Sequence, residues 1–286
     1  MSHNGDGDNS DGNNGDGDSR VDQNGLAGGG MGDGDLRAAL TRVAAVDALL
    51  VASDYDGCIA PIVSRPEDAV PNPASIAAIR AAADLPRTAA AVVSGRALSD
   101  LAALSGLPVD GDVTLVGSHG SEFAGGFRQE VTDDDRELLA RIVAAFTDIA
   151  AHHPGVTVET KPVSAALHVR NAAAHDATAA LHLARSGPAM WPGVQATEGK
   201  AVIELAVIET SKGHALDALR AEIGAGAVIY LGDDVTDEKA FAHLRAEDVG
   251  VKVGAGPTIA PYRIASTDDV ASVLESVVQQ RRDRVG

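Results

Sequence analysis

The chain of 286 residues is 45% hydrophobic and 22% charged, which is typical of a folded protein with one large domain or two modest ones. Its formal net charge of -18 argues against a nucleic-acid or anionic-membrane partner, because both require basic surfaces. It has no apolar run near the roughly 20 residues that span a bilayer, no signal-peptide pattern at its start, and a single cysteine, Cys58. We therefore expect a cytoplasmic protein.

The first segment, residues 1–35, consists mainly of Gly, Asp, Asn and Ser and has almost no apolar side chain to bury. Chain entropy then outweighs burial, and we predict a disordered acidic tail. Met31 directly precedes the first helix-like stretch and is an alternative start of the chain.

From Leu36 onward, short apolar runs alternate with helix-like segments, which predicts an α/β fold with a parallel sheet and helices on both faces. The predicted core strands are Ala48–Ser53, Ala89–Val93, Val113–Val116, Ala227–Leu231 and Gly250–Val253. The predicted core helices are Ser75–Ala83, Leu98–Leu104, Lys212–Ile223, Glu238–Leu244 and Val270–Gln279.

The alternation breaks between residues 123 and 205, where two helix-strand-strand units follow each other. Such units favour a small inserted α+β domain with an antiparallel sheet, and an insert of this kind can cover an active site. Residues 36–122 and 206–286 then form the core. The predicted elements of the insert are Asp133–Ala151, Val156–Glu159, Ala165–Val169, Ala173–Ala184, Val194–Thr197 and Ala201–Leu205.

Two carboxylates, Asp54 and Asp56, stand where the first apolar run stops. Alternate residues of a strand share a face, so the two acids project together and repel each other unless a cation lies between them. A divalent ion with oxygen ligands, Mg²⁺, is the usual solution. The alternative is a strand end followed by a polar Asp-Gly turn.

Ligands collect beyond the carboxyl ends of parallel strands, so the residues after the other apolar runs matter as well. They include Ser94-Gly95-Arg96 and the acidic segment Gly232–Glu238. Ser211 is a plausible helix N-cap with Lys212 in the first turn, where free N–H groups and an ammonium favour phosphate. Together these residues supply the groups that an aspartyl-phosphate mechanism needs.

On these motifs the chain resembles the haloacid dehalogenase-like phosphohydrolases, and within them the trehalose-6-phosphate phosphatases. The resemblance runs from about Leu49 to Leu274. The motifs that carry it are Asp-Tyr-Asp-Gly at 54–57, Val-Val-Ser-Gly-Arg at 92–96, Gly-Ser-His-Gly at 117–120, Ser-Lys-Gly-His-Ala-Leu at 211–216 and Gly-Asp-Asp-Val-Thr-Asp-Glu at 232–238.

The resemblance implies a role for each matching residue. Asp54 would be the nucleophile, Asp56 the general acid and base, and Ser94 and Lys212 the phosphate ligands. Mg²⁺ would be held by Asp54, the carbonyl of Asp56 and Asp233, with Asp237 acting through water or Lys212 and with Asp234 in support. Cys58 replaces the Thr that is usual in the family, which puts the geometry of this loop in question.

The resemblance identifies the inserted domain as a cap over the active site and implies that its Lys161 and Glu204 bind sugar hydroxyls. Arg96, His119, His168 and Arg170 are further candidates for substrate binding. His119 is equally compatible with a structural role, Arg96 with pairing to acids or to the cap, and His168 and Arg170 with packing inside the cap.

The function expected from this resemblance is Mg²⁺-dependent hydrolysis of trehalose 6-phosphate by a monomer, with trehalose-phosphate synthase as a partner in the same pathway. Two alternatives remain open: a phosphatase of another sugar phosphate, such as a sucrose or mannosyl-glycerate phosphate, and a catalytically silent regulatory subunit.

Overall fold

The computed structural model describes residue 1 and residues 33–127, 130–209 and 211–285. Most of the predicted tail lies outside these ranges, and the first helix begins at Asp33. The helices are α1 Asp33–Val43, α2 Pro73–Ala83, α3 Leu98–Ser105, α4 Asp133–His152, α5 Ala174–Ser186, α6 Lys212–Ile223, α7 Val235–Phe241 and α8 Thr267–Val285. The strands are β1 Leu49–Ser53, β2 Thr88–Val93, β3 Val113–Val116, β4 Glu122–Phe123, β5 Gly126–Phe127, β6 Thr157–Thr160, β7 Ser164–His168, β8 Gln195–Gly199, β9 Val202–Ala206, β10 Ala227–Gly232, β11 Val249–Val253 and β12 Tyr262–Ile264.

Six parallel strands form the larger sheet in the order β12-β11-β10-β1-β2-β3. Strands β1 and β10 are buried along their whole length, so both faces are covered and their residues read as continuous apolar runs. One apolar cluster lies on each face of this sheet. The predicted α/β class and the five predicted core strands are confirmed, whereas the short edge strand β12 was not predicted.

The second sheet has four antiparallel strands in the order β6-β7-β9-β8. Helices α4 and α5 supply Ile142, Phe146 and Ala180 to its separate apolar cluster. Thr132 caps α4 in a capping box with Asp135, so the acidic run at 133–135 is a helix start, as predicted. The antiparallel sheet predicted for the insert is confirmed.

One predicted helix is displaced by three residues. The sequence predicted Glu238–Leu244, whereas α7 spans Val235–Phe241. The reason is local: the Asp234 side chain accepts from the Val235 N–H, and Asp234 forms a capping box with Asp237, so the helix begins directly after the strand-end turn. Helix α8 is longer at both ends than the predicted Val270–Gln279. Among the described residues, no helix has the length and apolarity that crossing a membrane requires.

Candidate active site

The central strands of the parallel sheet deliver the candidate residues to one edge. The backbone N–H of Asp54 donates to the carbonyl of Leu231 at 2.8 Å, and that of Ser94 donates to the carbonyl of Val116 at 2.8 Å. The hydrogen-bond ladder therefore continues one residue beyond β1 and β2. As a result, Asp54 and Ser94 are fixed at the carboxyl ends of adjacent strands, both buried.

A buried lysine lies at the centre of the site. Lys212 Nζ is 2.8 Å from Asp54 Oδ2 and 2.8 Å from Asp237 Oδ1, and all three side chains are buried. Burial alone would lower the pKa of Lys212, but the two carboxylates outweigh it and raise that pKa. Lys212 is therefore a permanently charged group that faces the candidate nucleophile. Ser211 caps α6 as predicted, which places Lys212 in the first helical turn.

Asp237 has hydrogen-bond partners on both carboxylate oxygens. Oδ1 accepts from Lys212 at 2.8 Å and from the Tyr230 hydroxyl at 2.6 Å, and Oδ2 accepts from the N–H groups of Asp233 and Asp234 at 2.8 and 3.0 Å. Burial would raise the pKa of Asp237, but Lys212 and these donors hold it below its usual value. The main effect of the Asp237 carboxylate is to position Lys212 and the turn at Asp233.

Three carboxylates converge at this point. Asp54, Asp233 and Asp237 each place an oxygen within 4.8 Å of the others, and they form the group suited to a metal ion in the part of the chain that the structure describes. Burial and the neighbouring Asp237 raise the pKa of Asp233 to about 7 and that of Asp54 well above its usual value. A cation between carboxyl groups whose pKa is raised in this way stabilises their ionised form.

The backbone at Gly57 makes room for one of these carboxylates. Gly57 has a φ of +79°, and a Cβ at this position would lie 2.1 Å from Asp233 Oδ2. Asp233 therefore packs directly on the Asp-Tyr-Asp-Gly loop, in a space that any larger residue would fill. The oxygen donor set and this close approach fit a hard divalent cation held by Asp54 and Asp233, with Asp237 in support.

Asp56 has a different neighbour. The Arg96 guanidinium donates to both of its carboxylate oxygens, at 2.7 and 2.6 Å, and lies 5.7 Å from the centre of the Tyr55 ring. Asp56 and Arg96 are therefore a bidentate pair beside the three converging carboxylates. Asp234 is exposed and caps α7, and its side chain is not one of those three.

A polar cluster joins the antiparallel sheet to the parallel one. Lys161 Nζ donates to Glu204 Oε2 at 2.7 Å and to the carbonyl of Gly95 at 2.9 Å, and His119 Nε2 is 3.0 Å from the same Glu204 oxygen. Ser164, which the sequence did not single out, donates to Glu204 Oε1 at 2.7 Å. Burial would raise the pKa of Glu204, but His119 and Lys161 outweigh it and hold that pKa far below its usual value.

The two remaining candidates for substrate binding have separate partners. His168 Nε2 is 2.8 Å from Glu159 Oε2, and Arg170 donates to the carbonyl of Val63 at 2.9 Å. The structure therefore brings Lys161, Glu204 and His119 together, whereas His168 and Arg170 pair elsewhere.

Cys58 is fully buried, and burial raises the pKa of its thiol well above the usual value. A thiol with this pKa is a poor nucleophile, so the structure supports packing rather than chemistry at the position where the family pattern has Thr.

Sequence reasoning missed two buried contacts of the acidic segment, those of Tyr230 and Lys252. Tyr230 lay inside a run read only as apolar, although a buried Tyr hydroxyl usually needs a hydrogen-bond partner. Lys252 donates to the carbonyl of Asp233. Its signal was a charged residue within the run Val-Gly-Val-Lys-Val, which is otherwise suited to a buried strand.

Comparison with solved structures gives the fold first. The fold matches that of a haloacid dehalogenase-like hydrolase from B. subtilis, with a TM-score of 0.57, 13% identity, and coverage of 79% of this chain and 98% of that one. The C-terminal domain of C. albicans trehalose-6-phosphate phosphatase aligns with a TM-score of 0.74 and 21% identity over 86% of this chain and 97% of that one. The chain thus has the fold of the haloacid dehalogenase-like hydrolases.

Sequence comparison defines the family. The trehalose-phosphatase profile matches residues 52–272. Trehalose-6-phosphate phosphatase of Escherichia coli is 33% identical over 243 residues, which cover 80% of this chain and 88% of that protein. The bifunctional trehalose-6-phosphate synthase/phosphatase of Thermoproteus tenax is 34% identical, and the match spans 32% of its length. The chain belongs to the trehalose-phosphatase family and is a phosphoric monoester hydrolase.

Proposed function

We propose that this chain hydrolyses trehalose 6-phosphate to trehalose and phosphate in a Mg²⁺-dependent reaction that passes through a phosphorylated Asp54. The observation that carries the proposal is the buried Lys212, bonded to both Asp54 and Asp237 beside the free carboxylate of Asp233. Family membership and the names of the relatives support the substrate.

In the first step, an oxygen of Asp54 attacks phosphorus, and the bond from phosphorus to the sugar oxygen breaks. Asp56 in its protonated form gives its proton to the leaving sugar oxygen. In the second step, Asp56 takes a proton from water, whose oxygen attacks phosphorus and releases Asp54 and phosphate. Because Arg96 now binds both Asp56 oxygens, that pair must loosen before Asp56 carries a proton.

The phosphoryl oxygens would be held by Lys212 and by the Ser94 hydroxyl, next to the N-terminus of α6. Asp54 and Asp233, together with the Asp56 carbonyl, would hold Mg²⁺, which when bound offsets the negative charge of the phosphate and the carboxylates. Asp237 keeps Lys212 directed at Asp54. Phosphate monoesters hydrolyse so slowly in water that these groups together must lower the barrier by on the order of 20 kcal/mol.

We further propose that residues 123–205 are a cap that selects the disaccharide. Lys161 and Glu204 lie at its contact with the parallel sheet, where a donor and an acceptor can pair with sugar hydroxyls. Sites that hydrogen-bond a substrate hydroxyl strongly reject analogues that lack it, since the buried groups are then left unpaired. A single cysteine supports a cytoplasmic location, and we propose a monomer that works in the same pathway as a trehalose-phosphate synthase.

The test is a phosphate-release assay with Mg²⁺ on trehalose 6-phosphate, glucose 6-phosphate and sucrose 6-phosphate, together with the Asp54→Asn variant. We expect release from trehalose 6-phosphate in preference to the others and none from the variant. Substrate labelled with ³²P, quenched in acid, should label the wild-type protein but not the variant. Equal release from all three sugars would refute the specificity, and absence of release from any would favour a regulatory protein.

A further inference from the structure

A second buried lysine lies beside the converging carboxylates and has no part in the reaction as described so far. Lys252 is on β11, only 4% exposed, and its register partner on β10 is Gly232, the residue before Asp233. Its Nζ donates to the backbone carbonyl of Asp233. The lysine therefore reaches from the neighbouring strand to the main chain of a residue proposed to hold the metal.

The choice of acceptor is unusual for a buried ammonium group. Burial of a charge is costly unless the charge is paired, and a carboxylate is the normal partner. Within the described part of the chain, no carboxylate oxygen lies within the 4.0 Å of an ion pair from Lys252 Nζ. Four acidic residues, at positions 233, 234, 237 and 238, follow the end of β10, the strand that pairs with β11, yet Lys252 bonds to a carbonyl.

This arrangement leaves the side chain of Asp233 available. The N–H of Asp233 donates to Asp237 and its carbonyl accepts from Lys252, so the main chain is held on both sides. In contrast, the structure shows no hydrogen bond to the carboxylate oxygens of Asp233 among the described residues. The carboxylate lies against Gly57 and faces Asp54, as a ligand for a cation should.

We infer that Lys252 is a positioning residue for the metal-binding carboxylate: its ammonium fixes the backbone of Asp233 without occupying the oxygens that hold the ion. The inference rests on the proposed Mg²⁺ site. Partners of this kind, one contact removed from the metal, typically contribute 10–100-fold to metal affinity.

A positioning role and a purely electrostatic role predict opposite signs. Removal of a positive charge near a cation site, by itself, strengthens cation binding, because a repulsive interaction is lost. Loss of the hydrogen bond that orients Asp233 weakens binding. The direction of the change in Mg²⁺ affinity therefore separates the two roles.

The experiment measures Mg²⁺ binding by isothermal titration calorimetry on the full chain, for wild type and Lys252→Met. The matched control is Lys239→Met, which removes the same charge from an exposed position on α7. We expect Lys252→Met to bind Mg²⁺ about 10–100-fold more weakly and the control to stay within about twofold of wild type. Urea unfolding without metal should show that Lys252→Met still unfolds in one cooperative transition, so that Mg²⁺ affinity is compared between folded proteins.

Unchanged or tighter Mg²⁺ binding by Lys252→Met would overturn the inference. So would weaker binding accompanied by loss of the cooperative urea transition of the metal-free protein, because the loss would then reflect general damage to the fold. If wild type itself does not bind Mg²⁺, the proposed metal dependence fails, and this result is distinguishable because it appears before any variant is compared.

Discussion

Gly57 offers a sharp test of the site because substitution by alanine has two separable effects. The first is backbone strain, since a φ of +79° places a Cβ in an unfavourable conformation that costs about 1–2 kcal/mol. The second is a collision, because the new Cβ would lie 2.1 Å from Oδ2 and 2.2 Å from Cγ of Asp233.

The size of the collision sets the expected loss. Real Cβ atoms essentially never approach another atom closer than 3.0 Å, so the carboxylate of Asp233 must move by about 1 Å. Metal–ligand distances tolerate deviations of about 0.2 Å, and a 1 Å displacement at a catalytic site costs about 100-fold in rate. We therefore expect Gly57→Ala to lose Mg²⁺ binding and to lower kcat/KM by about 100-fold or more.

Gly106→Ala is the matched control. Gly106 follows α3 with a φ of +65°, but a Cβ there meets no atom within 4 Å, so the substitution adds strain without a collision. The assays are calorimetric Mg²⁺ binding, phosphate release and thermal unfolding. Both variants should lose stability, with Tm lower by about 2–8 °C, but only Gly57→Ala should lose metal and activity. A Gly57→Ala protein that binds Mg²⁺ and turns over substrate like Gly106→Ala would show that the position of the Asp233 carboxylate is not required for metal binding or catalysis.

Three further predictions follow from single contacts. Tyr230→Phe removes a hydroxyl bonded to the carboxylate of Asp237 and should cost about 1.5–3 kcal/mol of unfolding free energy. Tyr55→Phe should cost less, because the equally buried Tyr55 hydroxyl donates to a neutral carbonyl, and urea unfolding that gives the reverse order contradicts this. Because the pKa of Glu204 is lowered in the folded protein, its ionised form stabilises the fold at pH values above its unfolded pKa of 4.5. The stability gap between wild type and Glu204→Gln should therefore shrink as the pH falls below about 5, and a gap that widens over this range would refute the assigned direction. Cys58 should resist iodoacetamide in the native protein at pH 7.5, with activity retained after treatment and modification only on unfolding; rapid native alkylation would contradict its burial.

The sequence was most informative where a functional residue directly follows a buried strand. Asp54, Ser94 and Asp233 could be found because each ends an apolar run, and parallel strands bring such ends together. Lys212 could be found because Ser211 marks a helix start. In each case the local pattern and the strand topology define the position without knowledge of side-chain contacts.

The contacts that the sequence did not predict depend on pairing between distant segments. Lys252 reaches Asp233 only because β11 pairs with β10 in a register that places it opposite Gly232, and no local pattern encodes that register. The two roles of Asp237, in starting α7 and in positioning Lys212, could also not be predicted from the sequence. As N3 of a capping box it starts α7, and the same carboxylate positions Lys212. The predicted helix began three residues too late because Gly232–Glu238 was interpreted as a loop that supplies ligands.

The charges of the site explain why a cation must accompany the substrate under the proposed function. Its five carboxyl groups are those of Asp54, Asp56, Asp233, Asp237 and Glu204, and its four basic side chains are those of Arg96, Lys161, Lys212 and Lys252. When all of these groups are ionised, as nucleophilic attack by Asp54 and metal binding by Asp233 require, one negative charge is in excess before a phosphate dianion arrives. Nor does the whole molecule attract an anion, since its formal net charge is -18. At physiological salt this long-range repulsion is screened beyond about 8 Å, so affinity for the phosphate must come from groups in direct contact with it. Lys212 already shares its single positive charge between two carboxylates. A divalent ion beside Asp233 would reverse the local sign, which would make binding of the metal and of the phosphate mutually dependent.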